Sequence, residues 1–251
     1  MKAAAHRSPG RSADGPLAGF QSFELGRRVV YLRRDLAARA PAIVASLSTL
    51  GSAGGAGNRS SGFALKLADG TELFARINRR GGLIHHALKD LYVGIHARPV
   101  RELAAAAEAR RRGIPVAEPI GAAVEWIAPI VYRGVFLTRI LAGMTLWEFL
   151  CTDDDAFVRM HVLEQARQAL DTMHRLGLFH ADLNLHNLFV TQSRESFAVA
   201  ILDLDKARLF HGPVPPRIRA RNLARLRHSV RKLDPDRRYL DSDALELLTR
   251  K

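Results

Sequence analysis

The sequence is short of cysteine, of aromatics and of acid relative to base, and each shortage excludes something. Its one cysteine, Cys151, cannot form an intramolecular disulfide. A zinc site built from cysteines is excluded with it, and a reducing compartment fits best. No run is long and apolar enough to cross a bilayer: the best stretch, Ile127 to Leu137, is short and contains Arg133. The opening stretch, MKAAAHRSPGRSADGP, has no long apolar core. It reads as a disordered tail over residues 1–20 and not as a secretory signal. The expectation is a protein that is soluble or held on a membrane from one side only.

What is present suffices for a folded body. Of 251 residues, 47% are hydrophobic and 25% charged, which suits one large domain or two small lobes sharing a cleft. The net charge of +13 points to an anionic partner: nucleic acid, an acidic membrane surface or a phosphorylated small molecule. Charge alone does not choose among them.

Ile43 to Leu50 is a short apolar run that reads as a strand, followed by a glycine-rich stretch from Gly51 through Gly54 to Gly57. Gly62 to Leu67 and Thr71 to Asn78 alternate in polarity around Ala68-Asp69-Gly70, a strong hairpin signal. A helix is expected over Leu83 to Val93. A clearer one opens at Pro99, runs to Arg112 and is stopped by Gly113 and Pro115. Short strands follow near Val116 to Val124 and Val135 to Ile140. Thr145 to Leu150 reads as a short helix, and Phe157 to Leu176 as a long one stopped by Gly177. Leu188 to Thr191 and Ala198 to Leu202 suit a small hairpin. From Pro213 the chain is basic, with Leu223, Leu226, Val230 and Leu233 at helical spacing among its arginines.

One segment carries chemistry. His180-Ala181-Asp182-Leu183-Asn184-Leu185-His186-Asn187 sets an acid five positions before an amide, and Asp203 follows after the apolar run AVAIL. Phosphoryl transfer to a hydroxyl uses such a set: a carboxylate to orient the hydroxyl proton, and oxygen ligands to hold Mg²⁺ on a triphosphate. Singly, Asp182 is also a plain helix cap and Asn187 a turn residue; their joint spacing with Asp203 argues against that. A hydrolytic metal site at His180, Asp182 and His186 is the competing reading, but no other cluster supplies the missing ligands.

The H-x-D-x-x-x-x-N pattern, with apolar-Asp-apolar-Asp after it, resembles the catalytic and metal motifs of the protein-kinase superfamily. The wording is closer still to the bacterial lipopolysaccharide kinases, and within them to those acting on 3-deoxy-D-manno-octulosonic acid (Kdo). The stretches concerned are RINRRGGLI, RELAAAAEARRRGIPVAEPI, GLFHADLNLHNLFV, ILDLDKAR and RNLARLRHSVRKL, spread between Ile43 and Leu233. The resemblance implies a two-lobed α+β fold: an antiparallel-sheet N-lobe over 21–139 and a short helical C-lobe over 140–251. It implies ATP and Mg²⁺ as cofactors. It makes Asp182 the catalytic base, Asn187 and Asp203 the metal ligands, Arg76 the phosphate-gripping cation, Glu102 its ion-pair partner, and Gly51, Gly54 and Gly57 part of a loop over the phosphates.

Some positions depart from the general kinase pattern. Arg76 stands where most kinases have lysine, Ala181 where many have arginine, and Asp205 where glycine is usual. The glycine stretch does not fit G-x-G-x-x-G. Little chain follows Asp203, which favours a small or lipid-linked acceptor over a protein. The resemblance thus implies transfer to a hydroxyl of Kdo on a lipid A precursor, at the cytoplasmic face of the inner membrane, with the basic C-terminal segment on anionic lipid and no nucleic acid. Heptose, aminoglycoside or protein acceptors, or a non-catalytic nucleic-acid-binding module, are the alternatives. Arg79 and Arg80 read equally as a solvated turn or as a cationic patch beside the cleft.

Overall fold

The computed structural model of the chain describes residues 15, 17–52, 62–77, 91–193 and 196–250. The first half is built on an antiparallel sheet. β1 (Phe20–Leu25) and β2 (Arg28–Arg33) form a tight hairpin whose turn holds Gly26 at a positive φ of 62°. A 3-10 turn then leads into α1 (Ala40–Ser52). β3 (Gly62–Lys66) and β4 (Glu72–Ile77) pair around Asp69-Gly70, where the Thr71 amide donates to Asp69 Oδ1 at 2.9 Å. β5 (Tyr92–Val93), α2 (Arg98–Arg111), β6 (Pro119–Ala128) and β7 (Val131–Arg139) follow. The sheet order is β1-β2-β6-β7-β4-β3, with β5 beside β7.

Helices dominate the second half. β8 (Gly143–Thr145) runs into α3 (Leu146–Thr152), which Thr145 and Glu148 close with a capping box. Asp155 caps α4 (Ala156–Arg175), accepting from the amides of Phe157 and Val158. Gly177, at φ 87°, ends it in the left-handed conformation that glycine adopts freely. β9 (Leu178–Phe179), the hairpin of β10 (Leu188–Ser193) and β11 (Ser196–Ile201), and β12 (Arg208–Leu209) come next. Two helices, α5 (Pro216–Leu233) and α6 (Ser242–Thr249), complete the described chain.

The architecture is therefore α+β, with an antiparallel sheet in the first half and helices in the second. One hydrophobic core joins the two, running from Leu103, Ala106 and Phe136 to Leu150, Leu170 and Leu226. A second core lies between α1 and the sheet. A backbone seam also links the halves: Val116 makes a parallel bridge to Ile201, whose amide donates to Pro115 O at 2.7 Å.

Four expectations need correction. Ile43 to Leu50 is helical, not a strand. Ala40 and Ile43 are buried, and Val44 and Leu47 pack beside them, a 3.6-residue stripe laid on the sheet. The first hairpin precedes this helix and was not anticipated, so Phe20 lies in a strand and not in a tail. Tyr92–Val93 is a strand pairing with β7, not the end of a helix. Of the glycine stretch, Gly51 falls inside α1, where it forms no loop. Gly54, Gly57, Arg79 and Arg80 lie outside the described residues.

Candidate active site

The fifteen residues between Asn187 and Asp203 are spanned by a hairpin. β10 and β11 pair in register from Leu188↔Ile201 to Ser193↔Ser196, so the residues just outside their open end become neighbours. Leu202 seals the junction with both of its backbone groups. Its amide donates to Asn187 O at 2.9 Å, and its carbonyl accepts from His180 Nε2 at 2.8 Å.

His180 is the brace of the loop. With Nε2–H donating to Leu202, its Nδ1 accepts from the Asp182 amide at 3.1 Å, which fixes one neutral tautomer. Burial depresses its pKa and keeps the ring neutral. Both ring nitrogens are thus engaged, which removes His180 from any metal-ligand set. Among the described residues no group of three His, Cys, Asp or Glu forms a metal cage.

Asp182 stands half exposed with its carbonyl turned inward. That carbonyl accepts from Asn184 Nδ2 at 2.8 Å and from Asn187 Nδ2 at 2.9 Å. The second bond orients the Asn187 amide and leaves its Oδ1 as the end available to a cation. Asp203 follows β11 with φ at 60°, a left-handed conformation that asparagine and aspartate tolerate better than most residues.

Arg76 of β4 links this acid to α2. Its guanidinium contacts Glu102 through Nη2 and lies 2.9 Å from Asp203 Oδ1 through Nη1. Glu102 is 1% exposed, and burial pushes its carboxyl up to about 7 against the pull of Arg76. Burial also works against the charge on Arg76, yet Glu102 and Asp203 hold its pKa above the ordinary value.

A cavity of about 740 Å³ opens between β3, β4, β7 and the β10–β11 hairpin, a size that suits a small-molecule ligand. Its inner wall is apolar, with Ala106, Val116, Phe136 and Ile201. Arg76, Arg139, Glu102, Asn187 and Asp203 supply its charged and amide groups. Gly62 lines it too; a Cβ there would run into the Phe74 ring. The donor set fits a hard cation: Asn187 offers an amide oxygen and Asp203 a carboxylate, of which Oδ1 also faces Arg76 Nη1 at 2.9 Å. The site can therefore take a flat apolar group inside and a charged, cation-bound group at Asp203.

The structure thus brings Arg76, Glu102, Asp203, Asn187 and Asp182 into one connected set. Sequence reasoning missed two residues on α5. Asn222, fully buried, accepts on Oδ1 from the His180 amide at 3.3 Å and from His174 Nε2 at 3.1 Å, and donates from Nδ2 to His180 O at 2.6 Å. Arg225, one turn on, donates to Asp182 Oδ1. An asparagine inside an arginine-rich amphipathic helix, at a position the apolar stripe covers, was the one available signal for the first. The second had none.

Comparison with known proteins accords with this geometry. Residues 52–249 match the model of the lipopolysaccharide kinase (Kdo/WaaP) family. A 3-deoxy-D-manno-octulosonic acid kinase of Xylella fastidiosa is 30% identical over 185 residues, covering 72% of this chain and 70% of that one. One of Actinobacillus succinogenes is 31% identical over 160 residues, covering 61% and 63%. A solved structure of WaaP in complex with acyl carrier protein aligns over 78% of each chain, with a TM-score of 0.48 and 18% identity. With a family match over most of its length and a relative of this similarity, the chain belongs to the lipopolysaccharide kinase (Kdo/WaaP) family and is a phosphotransferase.

Proposed function

We propose that the protein transfers the γ-phosphate of ATP to a hydroxyl of Kdo on a lipid A precursor during lipopolysaccharide core biosynthesis. The observation that carries this reading is the convergence of Asn187, Asp203 and Arg76 on one apolar cavity, with Asp182 tied to Asn187 through its carbonyl. Asp182 orients the acceptor hydroxyl and takes its proton. Asn187 Oδ1 and Asp203 would hold Mg²⁺, and the ion would supply charge neutralisation at the phosphates. Arg76, locked by Glu102, presents a fixed cation to the same phosphates. Most of the rate then comes from positioning and electrostatics and little from covalent chemistry.

Peripheral attachment to the cytoplasmic face of the inner membrane belongs to the same reading. No helix among the described residues is long and apolar enough to cross a membrane. The basic face of α5 is narrower than its sequence suggests. Arg219 pairs with Asp171, Arg225 with Asp182, and Arg227 bonds Thr249 on α6. Arg217, Arg231 and Lys232 remain exposed, and each contributes on the order of 1 kcal/mol near an anionic bilayer. Co-sedimentation with anionic liposomes should weaken with salt and fall when these three become Gln; unchanged binding would place the contact elsewhere.

Mass spectrometry of the core sugars from a deletion strain tests the acceptor. The expected result is a Kdo residue lacking one phosphate, restored by the wild-type gene and not by Asp182→Asn. Loss of phosphate from a heptose, with Kdo unchanged, would reassign the acceptor within the same chemistry.

A further inference from the structure

Asp182 has a charged partner that its own loop does not supply. His180 to Asn187 contains neither lysine nor arginine. The guanidinium bonded to Asp182 Oδ1 comes instead from Arg225, 43 residues later on α5. That helix does not merely pass nearby. Asn222 bolts it to the loop by bonding both backbone groups of His180, and Leu223, Leu226 and Val230 bury its other flank. α5 is therefore a wall of the site, and Arg225 projects from it beside the carboxylate.

The character of the ion pair is informative. Arg225 is 53% exposed and Asp182 49%, so water screens the contact and it contributes little to folding. A guanidinium carries five N–H donors in a rigid fork, and Asp182 Oδ1 is its one partner among the described residues. Asp182 Oδ2 makes no hydrogen bond among them. One oxygen of the carboxylate is thus held while the other is open, and a largely unfilled cationic fork stands next to the open one. Exposed Arg221 lies one turn before and His228 one turn after on the same helix.

We propose that Arg225 is an acceptor-binding residue that recognises a carboxylate on the sugar whose hydroxyl is presented to Asp182. The inference rests on the reading given under Proposed function, because Kdo is an acid and a neutral hexose is not. The fork that steadies Asp182 Oδ1 also grips the acceptor carboxylate, and this sets the hydroxyl against Oδ2. A planar guanidinium suits a carboxylate because two parallel N–H···O bonds fix orientation as well as position. Arg225 thereby couples substrate choice to alignment of the base, and an acceptor without the carboxylate gains neither benefit.

Steady-state transfer from ATP to two soluble acceptors, a Kdo glycoside and its carboxamide, tests this with wild type, Arg225→Gln and Arg225→Lys. Wild type should prefer the acid by about 10- to 100-fold in kcat/KM, the range of a charged hydrogen-bonded contact. Arg225→Gln should lose about that factor on the acid and far less on the amide, so the preference collapses, with KM for ATP unchanged. Arg225→Lys, which keeps the charge and loses the fork, should fall between. Equal losses on both acceptors would overturn the proposal and reduce Arg225 to a positioning residue for Asp182. A shifted melting temperature with unchanged preference would overturn it as well. If wild type phosphorylated neither acceptor, the sugar assignment itself would fall and the inference with it; that failure shows in the wild-type arm, before any variant is compared.

Discussion

The two sides of the cleft each hold an arginine–carboxylate pair, and the pairs differ in kind. Arg76 and Glu102 meet with the carboxylate sealed from water; Arg225 and Asp182 meet with both partners about half exposed. A buried pair is hard to break from one side, because the survivor keeps its charge without water or a partner. An exposed pair exchanges partners at small cost. The first geometry suits a fixed cation beside a nucleotide. The second suits a base and a recognition group that stay in contact while both remain open to an arriving acceptor.

The sharpest way to test the contrast is to remove the acid on each side. If Asp203 holds the proposed cation, Asp203→Asn should lower turnover by at least about 10³-fold, the scale of several kcal/mol that such an ion supplies, and should weaken Mg²⁺-dependent nucleotide binding. Asn187→Ala should do less, and raised Mg²⁺ should partly restore it; the reverse ranking would show that the metal roles are misassigned. Asp182→Asn should lower transfer by about 10²- to 10³-fold, within the range for a general base, with nucleotide affinity retained. Titration calorimetry alongside turnover separates the two patterns.

Stability should separate the pairs next. Arg76→Ala strands a buried carboxylate and should cost about 3–5 kcal/mol in denaturant unfolding, whereas Arg225→Ala should cost at most about 1 kcal/mol. Arg76→Ala with Glu102→Ala together should cost less than the two singles added. Strict additivity would show that they act separately. The remaining expected effect is in pH. The Glu102 carboxyl rises from 4.5 to about 7 on folding, so the folded state holds this proton more tightly than the unfolded chain. The resulting stabilisation is fully present below about 4.5 and is lost as pH rises through about 7. Glu102→Gln should remove that slope from a plot of stability against pH.

Legibility in the sequence followed distance along the chain. Asp182 and Asn187 share one loop, and the hairpin that adds Asp203 is short, so spacing alone assembled that set. The α2 helix was readable from Pro99 and Gly113, and the β3–β4 hairpin from Asp69-Gly70. Ile43 to Leu50 was misread because a short apolar run fits a buried strand as well as the covered stripe of a helix. β1 was overlooked because it is an edge strand without a clean alternation: none of the residues of FQSFEL is fully buried. Arg225 was beyond reach for a different reason. It is one of several arginines on one helix, and nothing in its neighbours says which of them faces a carboxylate 43 residues upstream.

The left-handed backbone at Asp203 has a consequence for how this position tolerates change. A residue with a Cβ in that conformation carries about 1–2 kcal/mol of strain that glycine does not. The same chain segment would thus fold at least as readily with glycine, the residue usual at the equivalent turn of many tight loops. Asp203→Gly therefore offers a way to make an inactive protein whose fold has been relieved at the active site, a useful scaffold for trapping nucleotide or acceptor without turnover.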